Sequence, residues 1–387
     1  MKKICVMIGS RANYSSIKSF LENCKKSKRL KLQIVLFSSA SLHRFGNLEK
    51  IIKKDGFKID HILESHIEGE NLNTMVRSTA LSMLHIPEIF KKLKPHMVLT
   101  IGDRYETLAT SISSSYMNIP LIHTMGGEVT GTIDEKIRHA TTKLADIHFP
   151  ASIDAKRRII NLGEEKSKVF MVGCPRVDLV KKVINQKINF KHLNEFINKH
   201  GVGSKFDVKK KFCLVSYHPT TTEYSLSDSN ISNILQTLNK LKLYSIVLWP
   251  NSDAGSQKIS SDIRKFREKN NNLRNFKFII NLPTEIYIKL MDLTSCLIGN
   301  SSSGIREGSF IGTPVIDIGN RQKDRQRGKN VIQVNSNDIK TLEKEIIQQI
   351  KHGKYRSEKI YGNGDASLKM VKILSKVNLK VEKRITF

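Results

Sequence analysis

Short apolar runs rich in Val and Ile recur along the chain, and between them lie segments with apolar residues at helical spacing. The runs at Lys3–Ile8, Leu32–Phe37, Met97–Ile101, Leu121–His123, Ile147–Phe149 and Val169–Val172 predict a first series of strands. A second series is predicted at Phe212–Tyr217, Ser245–Trp249, Phe276–Ile280, Cys296–Ile298, Val315–Ile318 and Val331–Val334. Amphipathic helices are predicted at Ser15–Lys26, Leu72–Leu93, Tyr105–Met117, Asp228–Leu241, Thr284–Leu293 and Ile339–Lys351. Strand and helix in alternation mean βαβ units and parallel sheets. Two series predict an α/β protein of two doubly wound, Rossmann-like domains facing across a cleft. The first spans residues 1–175, completed by a C-terminal helix over 366–387 (Leu368, Val371, Leu374, Val377), and the second spans 176–365. The polar, lysine-rich stretch Lys181–Lys210, with Gly201-Val202-Gly203, reads as their connection.

In open α/β sheets ligands meet the loops beyond the carboxyl ends of the strands, and here those loops are unusually polar. They are Gly9-Ser10-Arg11, Gly102-Asp103-Arg104, Gly126–Thr132, His218–Thr222, Asn251–Ser256, Gly299–Gly304 and Gly319-Asn320-Arg321. The Gly299–Gly304 loop runs into a helix predicted over Ile305–Ile311. Small residues there let backbone N–H groups approach an anion, and the helix dipole favours a diphosphate. Glu307, expected in that helix's first turn, suits ribose hydroxyls, and Arg11 and Arg321 add fixed positive charge. Serines also cap helices in general, so Ser301–Ser303 taken alone divide evenly between the two roles. Asp103, Glu128, Asp134 and His218 are the titratable groups of the predicted cleft. An acid/base pair among them would move a proton beside a sugar ring. His139 and His148 have the wrong spacing for one helix face, and no GxxxxGK[ST], GxGxxG after a strand, HExxH or Cys/His cluster occurs.

Composition narrows the class. Among 387 residues Lys+Arg number 65 and Asp+Glu 36, a net charge of +29. That favours an anionic partner. Yet aromatics are only 7%, Trp249 is the sole tryptophan, and the lysines are spread rather than blocked. A nucleic-acid-binding protein would interleave stacking aromatics with its basic residues, so the excess reads as solvated surface in an Ile- and Asn-rich chain. At 39% hydrophobic the chain is not disordered. No apolar run reaches the roughly 18–20 residues that cross a bilayer, and Ile4–Ile8 is too short for a signal peptide and reads as a strand. Cys5, Cys24, Cys174, Cys213 and Cys296 form no CxxC, which fits a reduced, cytoplasmic enzyme without a membrane partner.

The motifs taken together resemble the UDP-N-acetylglucosamine 2-epimerases, in order and along essentially the whole chain. The resemblance rests on Gly9-Ser10-Arg11, Gly102–Glu106, Gly126–Glu135 with Ile137-Arg138-His139, and Val172–Arg176. It rests equally on Tyr217-His218-Pro219, Trp249–Ser256, Gly299–Glu307, Gly312-Thr313-Pro314 and Gly319–Gln322. The Gly-Gly-Glu-Val-Thr-Gly-Thr-Ile-Asp loop is similar to that of the hydrolysing branch, which makes free N-acetylmannosamine for sialic acid and related sugars. The resemblance implies a GT-B-like fold, a homodimer, and metal-free, cofactor-free chemistry. A base takes the C2 proton while UDP leaves C1, and water adds to the resulting 2-acetamidoglucal. By matching positions, Arg11, Ser15, Arg104, His218, Asn251, Ser301, Ser302, Glu307 and Arg321 would hold UDP. Asp103, Glu128, Asp134 and His218 would serve catalysis. One departure stands out: many non-hydrolysing members carry a catalytic glutamate two residues after the histidine of His123-Thr124-Met125, and Met125 cannot transfer a proton. Glu128 or Asp134 is the expected replacement. UDP-N-acetylglucosamine is the first substrate expected. A 2,4-diacetamido-trideoxy nucleotide sugar, as in legionaminic acid pathways, is the second, followed by a non-hydrolysing epimerase and a GT-B glycosyltransferase.

Overall fold

A computed structural model describes residues 1–42, 47–69, 71–130, 133–220, 230–250, 255–270, 273–335, 338–378 and 381–386. The chain divides into two compact units. One comprises Met1–Val129, Ile133–Leu179 and Tyr361–Phe387, and the other is built on Val180–Ile360.

The first unit contains β1 (Lys2–Ile8), α1 (Arg11–Lys26), β2 (Leu30–Leu36), α2 (Leu48–Lys54), β3 (His61–Ile62), α3 (Leu72–Leu93) and β4 (Met97–Ile101). It continues through α4 (Thr107–Tyr116), β5 (Leu121–Thr124), α5 (Asp134–Leu144), β6 (Ile147–Phe149) and α6 (Ile153–Asn161). Its sheet is fully parallel in the order β3-β2-β1-β4-β5-β6, the doubly wound order that reverses between first and fourth strands. β1 and β4 are buried along most or all of their length, as strands covered on both faces must be. They pack into a core with Val35, Phe37, Ile86 and Phe90.

The chain crosses to the second unit within α7 (Pro175–Ile184). There follow α8 (Phe190–His200), β7 (Gly201–Gly203), β8 (Cys213–Ser216), α9 (Asn230–Lys240), β9 (Ser245–Leu248), α10 (Ser256–Lys269) and β10 (Phe276–Ile279). The unit is completed by α11 (Thr284–Leu293), β11 (Cys296–Gly299), α12 (Ser302–Ile311), β12 (Val315–Ile318), β13 (Val331–Val334) and α13 (Ile339–His352). The order is β13-β12-β11-β8-β9-β10-β7. Six parallel strands repeat the doubly wound plan, with the reversal between β8 and β11, and β7 pairs antiparallel on the β10 edge. The core gathers Val215, Leu235, Phe276, Ile298 and Ile316. Finally α14 (Ala366–Lys376) belongs to the first unit and packs on α1. Asp178 caps it, accepting from the Ala366 and Ser367 amides at 3.0 and 2.7 Å.

Three sequence expectations need correction. Val169–Val172 is not a strand; only an isolated bridge joins Val169 to His148. Lys181–Lys210 is more than a connection, since it holds α8 and the edge strand β7, where Lys277 of β10 donates to the Gly203 and Ser204 carbonyls at 3.2 and 3.1 Å. The helix expected from Ile305 starts at Ser302, which moves Glu307 into its second turn.

Candidate functional site

Each unit places a polar cluster at its own switch point. In the first unit, Ser10 caps α1, its Oγ accepting from Asn13 N at 3.2 Å. The Asn13 amide ties the two central strands: its Oδ1 accepts from Gly9 N at 3.1 Å and its Nδ2 donates to Ile101 O at 3.3 Å. A Cβ on Gly9 would lie 2.6 Å from Glu106 Cγ, so any larger residue would push that buried side chain aside. Buried Glu106 accepts from Arg104 Nε at 2.7 Å, and Arg104 lies over the Tyr105 ring. Arg11 and Ser15, both half-buried, lie in the first two turns of α1, and burial lowers the Arg11 pKa.

Asp103 follows Gly102, whose φ of +71° suits a residue without Cβ. Its carboxylate accepts from Nη2 of Arg138, a fully buried arginine on α5. Nη1 of Arg138 donates to Glu128 O at 2.7 Å and to Glu135 Oε2 at 2.9 Å, and His139 Nε2 lies 2.7 Å from Glu135 Oε1. Burial alone would lower the Arg138 pKa, but Asp103, Glu128 and Glu135 more than reverse that. The Glu128 side chain is buried, and half-buried Asp134 is the first residue of α5, where a carboxylate meets the positive end of the dipole. Asp103, the backbone of Glu128 and the helix carrying Asp134 are thus drawn to one arginine.

His123 lies beneath this cluster, wholly buried. Its Nε2–H donates to Gly102 O at 2.7 Å, and its Nδ1 faces the Thr142 hydroxyl at 3.2 Å. Burial holds its pKa down at about 3, so the ring is neutral. Met125 is buried with a left-handed φ of +62°, and its sulfur sits 3.6 Å from Cys174 Sγ. His148 belongs to a different network. Its Nε2 lies 3.0 Å from buried Glu164, which also accepts from Lys143 at 2.7 Å and from Lys383 at 2.6 Å.

In the second unit Gly299, with φ +144°, passes so close to β8 that a Cβ would sit 2.1 Å from Ser216 O. Asn300, buried next to it, clasps His218 from both sides: its Oδ1 accepts from His218 N and its Nδ2 donates to His218 O, each at 2.8 Å. The Asn300 carbonyl accepts from Arg321 Nη1 at 3.2 Å and Gln322 Nε2 at 3.0 Å. His218 is half-buried, with Nε2 3.4 Å from Ser216 Oγ. Ser301 caps α12 through Ser303 N, and Ser303 Oγ meets Tyr287 Oη at 2.5 Å. Ser302 Oγ accepts from Arg306 at 2.7 Å, which leaves its proton to donate. Glu307 is buried. Behind them Asp317 has its pKa pushed up to about 6 by burial, against the pull of Arg327, Arg325 and Arg321.

The structure therefore groups Arg11, Ser15, Asp103, Arg104, Glu128 and Asp134 at one switch point, and His218, Ser301, Ser302, Glu307 and Arg321 at the other. Asn251, with Ser252–Ala254, Gly131, Thr132, Thr221 and Thr222, lies outside the described residues. The expectations gave no role to Asn13, Glu106, Arg138, Asn300 or Gln322, although all but Asn13 stand in the quoted motifs. Only Arg138 carried a local signal, as it falls four residues after Asp134 on the same helix face. Among the described residues no group of three or more His, Cys, Asp or Glu side chains is placed to hold a metal ion, and no helix is long and apolar enough to cross a membrane.

Residues 22–375 match the family model described as UDP-N-acetylglucosamine 2-epimerase. The chain is 32% identical over 342 residues to the GDP/UDP-N,N′-diacetylbacillosamine 2-epimerase (hydrolyzing) of Campylobacter jejuni, covering 87% of this chain and 85% of that one. It is 30% identical over 379 residues to the UDP-N,N′-diacetylbacillosamine 2-epimerase (hydrolyzing) of Legionella pneumophila, covering 98% and 97%. In fold it is similar to the crystal structure of the Neisseria meningitidis UDP-GlcNAc 2-epimerase bound to UDP-GlcNAc, with TM-score 0.80, 18% identity, and coverage of 97% and 100%. The two doubly wound units are accordingly of the GT-B-like class, and the chain belongs to the UDP-N-acetylglucosamine 2-epimerase family.

Proposed function

We propose that the protein is a hydrolysing 2-epimerase acting on a UDP-linked 2,4-diacetamido-trideoxy sugar of the N,N′-diacetylbacillosamine type. The observation that carries this reading is the pair of relatives at 32% and 30% identity, both named for that sugar. It reverses the order of substrates expected from the motifs. UDP-N-acetylglucosamine, and with it N-acetylmannosamine for sialic acid, becomes the second reading, favoured by the Neisseria meningitidis UDP-N-acetylglucosamine 2-epimerase at 26% identity over 367 residues.

The chemistry suits the clusters. A carboxylate takes the C2 proton, the C–H electron pair becomes the C1=C2 double bond, and the C1–O bond breaks with its electrons on the departing UDP. Water then gives its hydroxyl to C1 and a proton returns to C2 on the opposite face, so the net reaction consumes one water and yields UDP and a free 2-epimeric sugar. The C2 proton is weakly acidic, so its removal must be coupled to stabilisation of the leaving diphosphate. Arg321 and the N-terminus of α12, beside His218, Ser301 and Ser302, supply that stabilisation, with Glu307 on the ribose. Arg11, Ser15 and Arg104 are assigned further UDP contacts, and Asn251 is proposed on motif position alone. Asp103, Glu128 and Asp134 supply the proton transfers, in a cytoplasmic homodimer. The test is kcat/KM for UDP release from the two donors side by side. The proposal expects the diacetamido donor to be preferred at least tenfold, and a preference for UDP-N-acetylglucosamine overturns it in favour of the second reading.

A further inference from the structure

Among the described residues, the bulkiest fully buried side chain is a charge, Arg138. A guanidinium taken out of water costs several kcal/mol unless its partners repay it, so those partners indicate its use. They are the Asp103 carboxylate, the Glu128 carbonyl at 2.7 Å and Glu135 Oε2 at 2.9 Å. Exposure grades across the pair: the Arg138 side chain is 0% exposed and that of Asp103 27%. The arginine lies inside and the carboxylate at the surface of the cluster. Arg138 never surrenders its own proton, so its influence is electrostatic and geometric.

We propose that Arg138 is a positioning residue that keeps Asp103 ionised and fixed against the Glu128 loop, which assigns Asp103 the proton-accepting half of the reaction. A carboxylate anchored to a guanidinium has an oxygen to accept a proton and no proton to give. The same arginine grips the Glu128 carbonyl, so Asp103 and the glycine-rich loop move as one body. Among the described residues, charged and titratable groups face the pair from several elements, with Asp134 also at the start of α5. Glu135 and His139 come from α5, Glu128 from the loop after β5, and neutral His123 from β5. Arg104 stands next in sequence, paired with Glu106. The guanidinium favours the charged form of Asp103, so removing it moves the Asp103 titration upward, by about 1–3 pH units.

The assignment of Asp103 to proton acceptance rests on the proposed function; the electrostatic hold does not. The test therefore reads both. Protein labelled with ¹³C at the aspartate carboxyl is titrated by NMR, with the Asp103 signal identified by its loss in Asp103→Asn. The pH profile of UDP release is recorded on the same samples, for wild type, Arg138→Met, Arg138→Lys and Glu135→Gln. Asp103 should titrate higher in Arg138→Met, and the acid limb of kcat/KM should shift with it. Arg138→Lys, which keeps a point charge without the fork, should show a smaller shift and serves if Arg138→Met does not fold. Glu135→Gln removes a competing carboxylate and should give no upward shift. An unmoved Asp103 titration in both arginine variants, or an upward shift in Glu135→Gln equal to theirs, overturns the proposal. If wild type releases UDP from neither donor, the proposed function fails while the NMR titration still decides the role of Arg138.

Discussion

The Asn300 side chain acts on the proposed diphosphate cluster through His218, which makes its effect testable. Its amide makes two hydrogen bonds of 2.8 Å to the backbone of His218 and bridges β8 to β11 at the switch point. Asn300→Ala strips the partner from one N–H and one C=O. A buried polar group left without a partner costs about 1–3 kcal/mol. His218 is only half-buried, so water reaches part of the gap, and the lower end for each group gives about 2 kcal/mol of lost stability. The Asn300 carbonyl, which receives Arg321 and Gln322, moves with the same loop. Both His218 and Arg321 then lose their fixed positions, and UDP affinity should fall about tenfold, or about 1.4 kcal/mol. The assay is calorimetric titration with UDP on wild type, Asn300→Ala, His218→Ala and the double variant. If Asn300 works through His218, the double variant binds little worse than the poorer single variant, with a coupling energy of about 1 kcal/mol. Additive losses, or an Asn300→Ala protein that binds UDP as wild type does, refute this reasoning.

Gly127→Ala should lower the melting temperature by several degrees, since φ is +74° and a Cβ would lie 2.3 Å from the Ala155 carbonyl oxygen; an unchanged melt by scanning calorimetry would contradict the described backbone. Acid lability should begin near pH 6.5. His123 is depressed to about 3, so below its unfolded value the unfolded state binds the extra proton and stability falls with pH. Glu164, held at about 2 by His148, Lys143 and Lys383 against the upward push of burial, adds a second loss of the same sign below about pH 4.5. Denaturant midpoints from pH 7 to 4 should show less slope above pH 4.5 in His123→Gln than in wild type. Met125→Leu should keep turnover within about twofold, because the thioether at this position fills space beside Cys174; a hundredfold loss would reveal a chemical role.

Most of the fold was legible because parallel strands buried on both faces read as unbroken apolar runs. Met97–Ile101, Ile147–Phe149 and Val315–Ile318, all buried, were delimited to the residue, as was the half-buried edge strand Val331–Val334. Val169–Val172 has the same composition but pairs with the sheet only through the bridge at Val169. The opposite error, at Gly201–Gly203, arose because an antiparallel edge strand of two glycines and a valine has no apolar pattern, and is held by β10 and the Lys277 amine. The site divides along the same line. Strand-end loops marked Asp103, His218 and Ser301–Ser303, since position in an α/β sheet follows from local pattern. Asn300 and Arg138 were not singled out, because their meaning lies in partners 82 and 35 residues away.

The measurement that bears most directly on the proposed function is turnover of UDP-N,N′-diacetylbacillosamine in D2O, followed by NMR. Elimination and rehydration predict UDP and a free sugar of inverted C2 configuration carrying deuterium at C2. A free sugar that keeps its C2 hydrogen and its original configuration would show simple hydrolysis at C1 and contradict the account.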